Sequence, residues 1–128
     1  MEQVRSTKLR DKIIKHLLDN DYNLHQHEDK LNVYFAYTPY DKRLIFTFNC
    51  NSIIVVEYIN LKKTDIRENK KRFQLVNELN IKSFIMKFAI EKDNILSMET
   101  RLQNIYNKKA FQEVLNDIEY DITELLKL

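Results

Sequence analysis

The chain has no glycine in 128 residues. That absence restricts its backbone more than any motif it carries. Glycine enters left-handed conformations freely and lets a backbone approach a phosphate closely, because it has no Cβ. The P-loop and the dinucleotide fingerprint are therefore excluded by spelling alone. A nucleophile elbow of the G-x-S-x-G form is excluded as well. Asparagine is abundant and tolerates left-handed geometry better than most residues, so it is expected at turns and helix ends.

Apolar spacing supplies the elements. From Ser6 to Asp19, the residues Leu9, Ile13, Ile14, Leu17 and Leu18 follow a helical period, with Ser6 as the expected N-cap. Asn20, Asp21 and Asn23 read as a stop and a loop. Leu31 to Thr38 alternates, which places Leu31, Val33, Phe35 and Tyr37 on one strand face. A turn from Thr38 to Lys42 holds the single proline. Leu44, Phe46 and Phe48 share one side of a second strand, and Asn49-Cys50-Asn51 is a tight hairpin connection. Ser52 to Ile59 is a third strand, apolar on both faces except at Glu57, which predicts cover on both sides.

The segment from Lys62 to Lys71 is polar and charged. Arg72 to Asn80 then reads as a short helix, with Asn80 expected to end it in a left-handed conformation and Asn77 expected to bond to backbone. Phe84, Met86, Phe88 and Ile90 line one face of a fourth strand. A Lys92-Asp93-Asn94 turn leads to a fifth strand, with Leu96, Met98, Thr100 and Leu102 on one side. From Lys108 onward, Phe111, Val114, Leu115, Ile118, Ile122, Leu125 and Leu126 form one stripe of a long helix. The order α-β-β-β-α-β-β-α predicts an α+β fold: a five-stranded antiparallel sheet with helices packed on it, one domain over residues 1–128.

Chemistry-bearing clusters are sparse. His25 and His27, followed by Glu28 and Asp29, would share one side of an extended segment. Two ligands fall short of the three or four that a zinc site needs, so this stretch reads as a solvated loop even with His16 nearby, and no metal is expected. Cys50 has no base beside it in sequence and reads as a partly buried thiol. No paired carboxylates, acid, base or nucleophile assemble, so no catalytic residue and no cofactor are assigned. A lone cysteine rules out an internal disulfide and fits a reducing compartment.

Charge bounds the partners. Lys plus Arg is 21 and Asp plus Glu is 19, and a net charge of +2 does not by itself argue for nucleic acid. The unbroken aliphatic run from Ile53 to Val56 is far too short to span a bilayer, and MEQVRSTK has no apolar h-region. A soluble, cytoplasmic chain is expected. Lys62, Lys63, Arg67, Lys70, Lys71 and Arg72 outnumber Asp65 and Glu68 and form a possible electrostatic patch. Glu113, Asp117, Asp121 and Glu124 mark a stripe on the last helix that reads as solvated.

The element order, the "FQLVNELN" stretch from Phe73 to Asn80, the hairpin from Phe84 to Leu102 and the terminal helix together resemble the YbjN-like family of bacterial proteins. The resemblance covers nearly the whole chain as an order of elements. It implies the fold shared with type III secretion chaperones: a small cytosolic domain, often dimeric, that binds proteins and has no established catalytic residues. The chain departs from that pattern in lacking turn glycines and in a pI near 8.6, where secretion chaperones are acidic.

The function expected is therefore a non-enzymatic, chaperone-like or regulatory module that holds a polypeptide partner or a second copy of itself. Its candidate contact residues are Phe73, Val76 and Leu79 on the short helix, Ile53 and Val55 on the third strand, and Ile85 on the fourth. Val55 is expected to face away from the core. A nucleic-acid-binding regulator using Lys62 to Arg72 is the alternative, and a small enzyme the least favoured. No small-molecule substrate is recognised.

Overall fold

A computed structural model of the chain describes residues 2–50, 52–61, 69–103 and 105–125. Three helices and six strands follow in order: α1 (Glu2–Asp19), β1 (Asn23–Gln26), β2 (Val33–Tyr37), β3 (Arg43–Phe48), β4 (Ser52–Asn60), α2 (Asn69–Lys82), β5 (Lys87–Glu91), β6 (Ile95–Gln103) and α3 (Lys108–Tyr120). The strands form one antiparallel sheet in the order β1-β2-β3-β4-β6-β5. The α+β class is as expected, and the strand count is one higher. The extra strand is β1, which pairs Asn23 with Tyr37 and Gln26 with Tyr34. Its four residues contain one apolar side chain, Leu24, so no alternation marks it in the sequence.

The described chain divides into two compact units. One comprises Met1–Val55 with Arg101–Glu113; the other comprises Val56–Thr100 with Val114–Leu128. In the first unit, α1 buries Ile13, His16 and Leu17, three residues at helical spacing. Opposed residues of an antiparallel pair share a face. Ala36 therefore lies beside Leu44, and Tyr34 beside Phe46. Ala36, Leu44 and Phe46 are fully buried, with Ile53 and Val55 of β4. The buried face of β2 is thus the one opposite to that read from the sequence. Val33, Phe35 and Tyr37 are only half-buried and Leu31 is 68% exposed. Aromatic bulk on both faces hid which face the small residue Ala36 had claimed.

The second unit buries Leu61, Leu79, Met86, Phe88, Leu96, Met98, Leu115, Ile118 and Ile122. The β5–β6 register sets Phe88 opposite Met98 and Ile90 opposite Leu96, so the expected inward faces hold there. But β5 begins at Lys87 rather than Phe84, and Phe84, expected on the inward face, is exposed ahead of the strand. Leu115 and Ile118 confirm the apolar stripe of α3. The Leu125 side chain and residue Leu126 lie outside the described residues.

Turns are made without glycine. Among the described residues, Asp21, Asp41 and Asn94 take positive φ, at 65°, 62° and 66°. Asp21 ends α1. The Tyr22 N–H donates to Leu17 O at 3.0 Å and the Asp21 N–H donates to Leu18 O at 3.1 Å, the paired bonds of a Schellman cap. Tyr22 and Leu17, the two positions whose side chains meet in such a cap, are both buried. Asp41 and Asn94 each close a three-residue hairpin loop, in the position where glycine usually forms the bulge. Aspartate fills two of the three positions expected for asparagine. Ser6 lies inside α1, which begins four residues earlier than its expected cap.

Candidate functional site

Among the described residues, five of the nine exposed large apolar side chains lie in the second unit, and the three most exposed of those five are Phe73 and Ile81 on α2 and Phe84 just beyond its end. This helix turns Leu79 inward, 4% exposed, with Leu75 and Val76 half-buried beside it. Phe73, Asn77 and Ile81 recur every four residues, drifting only about 40° per step, so they share the outward flank. Phe73 is 66% exposed and Ile81 is 82% exposed. Beyond the helix end, Phe84 is 63% exposed and stacks on Tyr120, with ring centroids 4.3 Å apart and planes at 19°.

Two polar clamps hold this surface. The Asn80 side chain closes on the Phe88 backbone: Nδ2 donates to Phe88 O at 3.0 Å, and Oδ1 accepts the Phe88 N–H at 2.8 Å. The helix runs on to Lys82, so Asn80 does not end it. The second clamp is Asp121, fully buried in the π turn that follows α3. Its carboxylate accepts three consecutive backbone N–H groups, from Phe84 at 2.9 Å, Ile85 at 2.9 Å and Met86 at 2.8 Å. Successive N–H groups converging on one anion form a nest. Asp121 is therefore not part of a solvated acidic stripe. It fixes the segment between α2 and β5, and so fixes the ring of Phe84 against its own neighbour Tyr120.

Of the expected contact residues, Phe73 is exposed, while Val76 and Ile85 are half-buried. Leu79, Ile53 and Val55 are core, at 4%, 1% and 0% exposure, so they present no docking surface. Val55 points inward because β4 offers Ile53 and Val55 to the core and leaves Ile54, Val56 and Tyr58 on its other face. A strand apolar on both faces does not say which is which. Ile81 and Tyr120, both prominent here, were not singled out by the sequence. Ile81 stands one residue past the expected helix end, and Tyr120 sits beside the acidic stripe.

In the charged segment, Lys62, Lys63, Arg67 and the Lys70 side chain lie outside the described residues. Lys71 is exposed and Arg72 half-buried. The histidines have separate roles. His25 lies on β1, exposed, with its ring 5.9 Å from that of Tyr37. His27 Nδ1 accepts the N–H groups of Asp29 and Lys30 at 3.0 and 3.1 Å, tying the turn before β2. His16 is buried on α1 and bonded to Tyr106 and Gln112. No group of three or more potential metal ligands occurs among the described residues. Cys50 is exposed at the β3–β4 turn rather than partly buried, and Asn51 lies outside the described residues. No described helix is long and apolar enough to cross a membrane.

No protein-family model matches the chain, and no curated protein matches it in sequence. Among solved structures it is similar to YbjN from E. coli, described as a proposed transcription regulator. The likeness has a TM-score of 0.61 at 13% identity and covers 90% of this chain and 86% of that one. At that identity the likeness speaks to the fold: the chain has the YbjN-like α+β fold that its order of elements predicted.

Proposed function

We propose that the chain is a non-enzymatic protein-binding module whose docking surface is the outward flank of α2 together with the Phe84–Tyr120 stack. The observation that carries this reading is the exposure of Phe73, Ile81 and Phe84 on a surface stiffened by the Asn80 and Asp121 clamps. Large apolar side chains gathered on one surface mark interaction sites more often than chance exposure does. Aromatic anchors held rigid lose little entropy when a partner arrives. The first occupant to test is a second copy of the chain, since symmetric dimers are the commonest way to cover such a patch.

Light scattering over a concentration series supplies the test. The wild type is expected to gain mass as concentration rises, and the double variant Phe73→Asp/Ile81→Asp is expected to stay monomeric with an unchanged thermal midpoint. A wild type that stays monomeric would assign the surface to another polypeptide. A panel of amphipathic peptides then decides, and no binding that depends on Phe73 and Ile81 would end the reading.

The solved neighbour's description favours a second reading, a nucleic-acid-binding regulator that uses Lys62 to Arg72. Duplex binding that weakens steeply with added salt and is lost with Lys71→Ala/Arg72→Ala would support it.

A further inference from the structure

The first unit holds a cleft of about 860 Å³ between α1 and the start of α3. Lys12 and Lys15 line it from α1, and Lys108 and Lys109 from the first turn of α3. Among the described residues, Asp19 and Glu113 are the acidic residues on its wall, so the described lining carries an excess of two positive charges.

Folding alone does not favour this arrangement. The first turn of α3 contains no acidic residue and two lysines. Cations at the positive end of a helix dipole destabilise it. The Asn107 side chain caps the helix by accepting the Ala110 N–H at 3.0 Å, which leaves the two lysines with no evident part in the cap. Local rules are broken chiefly at functional or strained sites.

The floor is built rather than incidental. His16 is 5% exposed and joins both walls. Its Nε2 lies 2.7 Å from Gln112 Oε1, and its Nδ1 lies 3.0 Å from the Tyr106 hydroxyl. The ring also meets the edge of Phe111, with centroids 4.8 Å apart. The helix segments that carry the lysines are thus joined through His16, a strut that none of the lysines forms.

We propose that this cleft binds a phosphate-bearing small molecule of up to nucleotide size. Ammonium groups from two walls suit a multiply charged anion approached from several sides. Among the described residues the cations lining the cleft are all lysines, and lysine serves phosphate as a point charge without demanding a flat, two-pronged partner. The volume lies within the range of small-molecule sites and exceeds what inorganic phosphate would fill. His16 and Gln112 act as positioning residues, and the four lysines make the contacts.

Calorimetric titration of the full chain at about 0.15 M salt, where surface attraction is screened, tests this with inorganic phosphate, pyrophosphate and a nucleoside triphosphate. Pyrophosphate or the triphosphate is expected to bind saturably, with a Kd below about 1 mM. Lys12→Ala/Lys108→Ala is expected to weaken binding at least about tenfold, while Lys42→Ala, outside the cleft, leaves it unchanged. Amide shifts of the wild type on titration give a readout that needs no variant, and they should centre on Lys12, Lys15, Lys108 and Lys109. The proposal is overturned if none of the three probes saturates, if Lys42→Ala weakens binding equally, or if the shifts centre elsewhere. It is overturned too if only a duplex oligonucleotide binds through these lysines.

Discussion

Asn80 grips the backbone of Phe88 from both sides, donating to its carbonyl at 3.0 Å and accepting its N–H at 2.8 Å. β5 ends the sheet, so Phe88 turns these groups outward, where a further strand would pair. A side-chain amide has a donor and an acceptor at nearly the spacing of a peptide and takes that strand's place. Exposed edges of this kind otherwise invite pairing with other chains.

Asn80→Ala is therefore expected to lower stability by about 1–3 kcal/mol, through two lost hydrogen bonds. Asn80→Asp keeps the acceptor and loses the donor, so it should fall between the two. Urea midpoints rank the three proteins. An alanine variant as stable as the wild type would show that water replaces the amide without loss.

Asp121→Ala is expected to cost more, about 3 kcal/mol or above, because three N–H groups lose an ionised acceptor at once. Hydrogen exchange offers the local readout: the amides of Phe84, Ile85 and Met86 should lose protection together. Asp121→Asn retains one carbonyl oxygen and should protect them in part.

The α3 stripe and the inward face of β4 give a paired prediction. Leu115→Ala should cost on the order of 2–5 kcal/mol, the usual range for truncating a large core residue. Val55→Asp should fail to fold, since it puts a carboxylate at a fully buried position without a partner. A folded Val55→Asp chain would mean that β4 presents its other face to the core.

His16→Phe keeps an aromatic ring, somewhat larger, and deletes both ring nitrogens. It is expected to lower the thermal midpoint, because Gln112 Oε1 and the Tyr106 hydroxyl lose a bonded neighbour in a part-buried setting. Tyr106→Phe removes only one of the two bonds and should shift the midpoint less.

The legible parts of this fold were those with a strong period. The stripe through Phe111, Leu115 and Ile118 has one apolar side only, and so does the alternation through Leu96, Met98 and Thr100. Each therefore announces its orientation. β4 and β2 are apolar or aromatic on both faces, and periodicity is silent when both faces qualify. The clamps were illegible for a different reason. Asp121 lies 35 to 37 residues from the N–H groups it accepts, and its neighbours Asp117 and Glu113 make it look like one more surface charge. Asn80 sits where a helix-ending asparagine would sit, and only the run on to Lys82 separates the two roles. Of the candidate surface, Phe73 was visible in advance, while Ile81 and Tyr120 needed the packing around them.

The three left-handed turns hold an untapped margin. Asp21, Asp41 and Asn94 each keep a Cβ where the backbone would do better without one. Asp41→Gly and Asn94→Gly are expected to raise stability by up to about 1 kcal/mol each, and Asp21→Gly likewise at the end of α1. Thermal midpoints of the single variants and the triple variant check this, and near-additive gains would show that each site stores its strain independently. A chain that spells every corner without glycine has thus kept open the simplest route by which it could become more heat-resistant: three single-residue changes, none of them in its core.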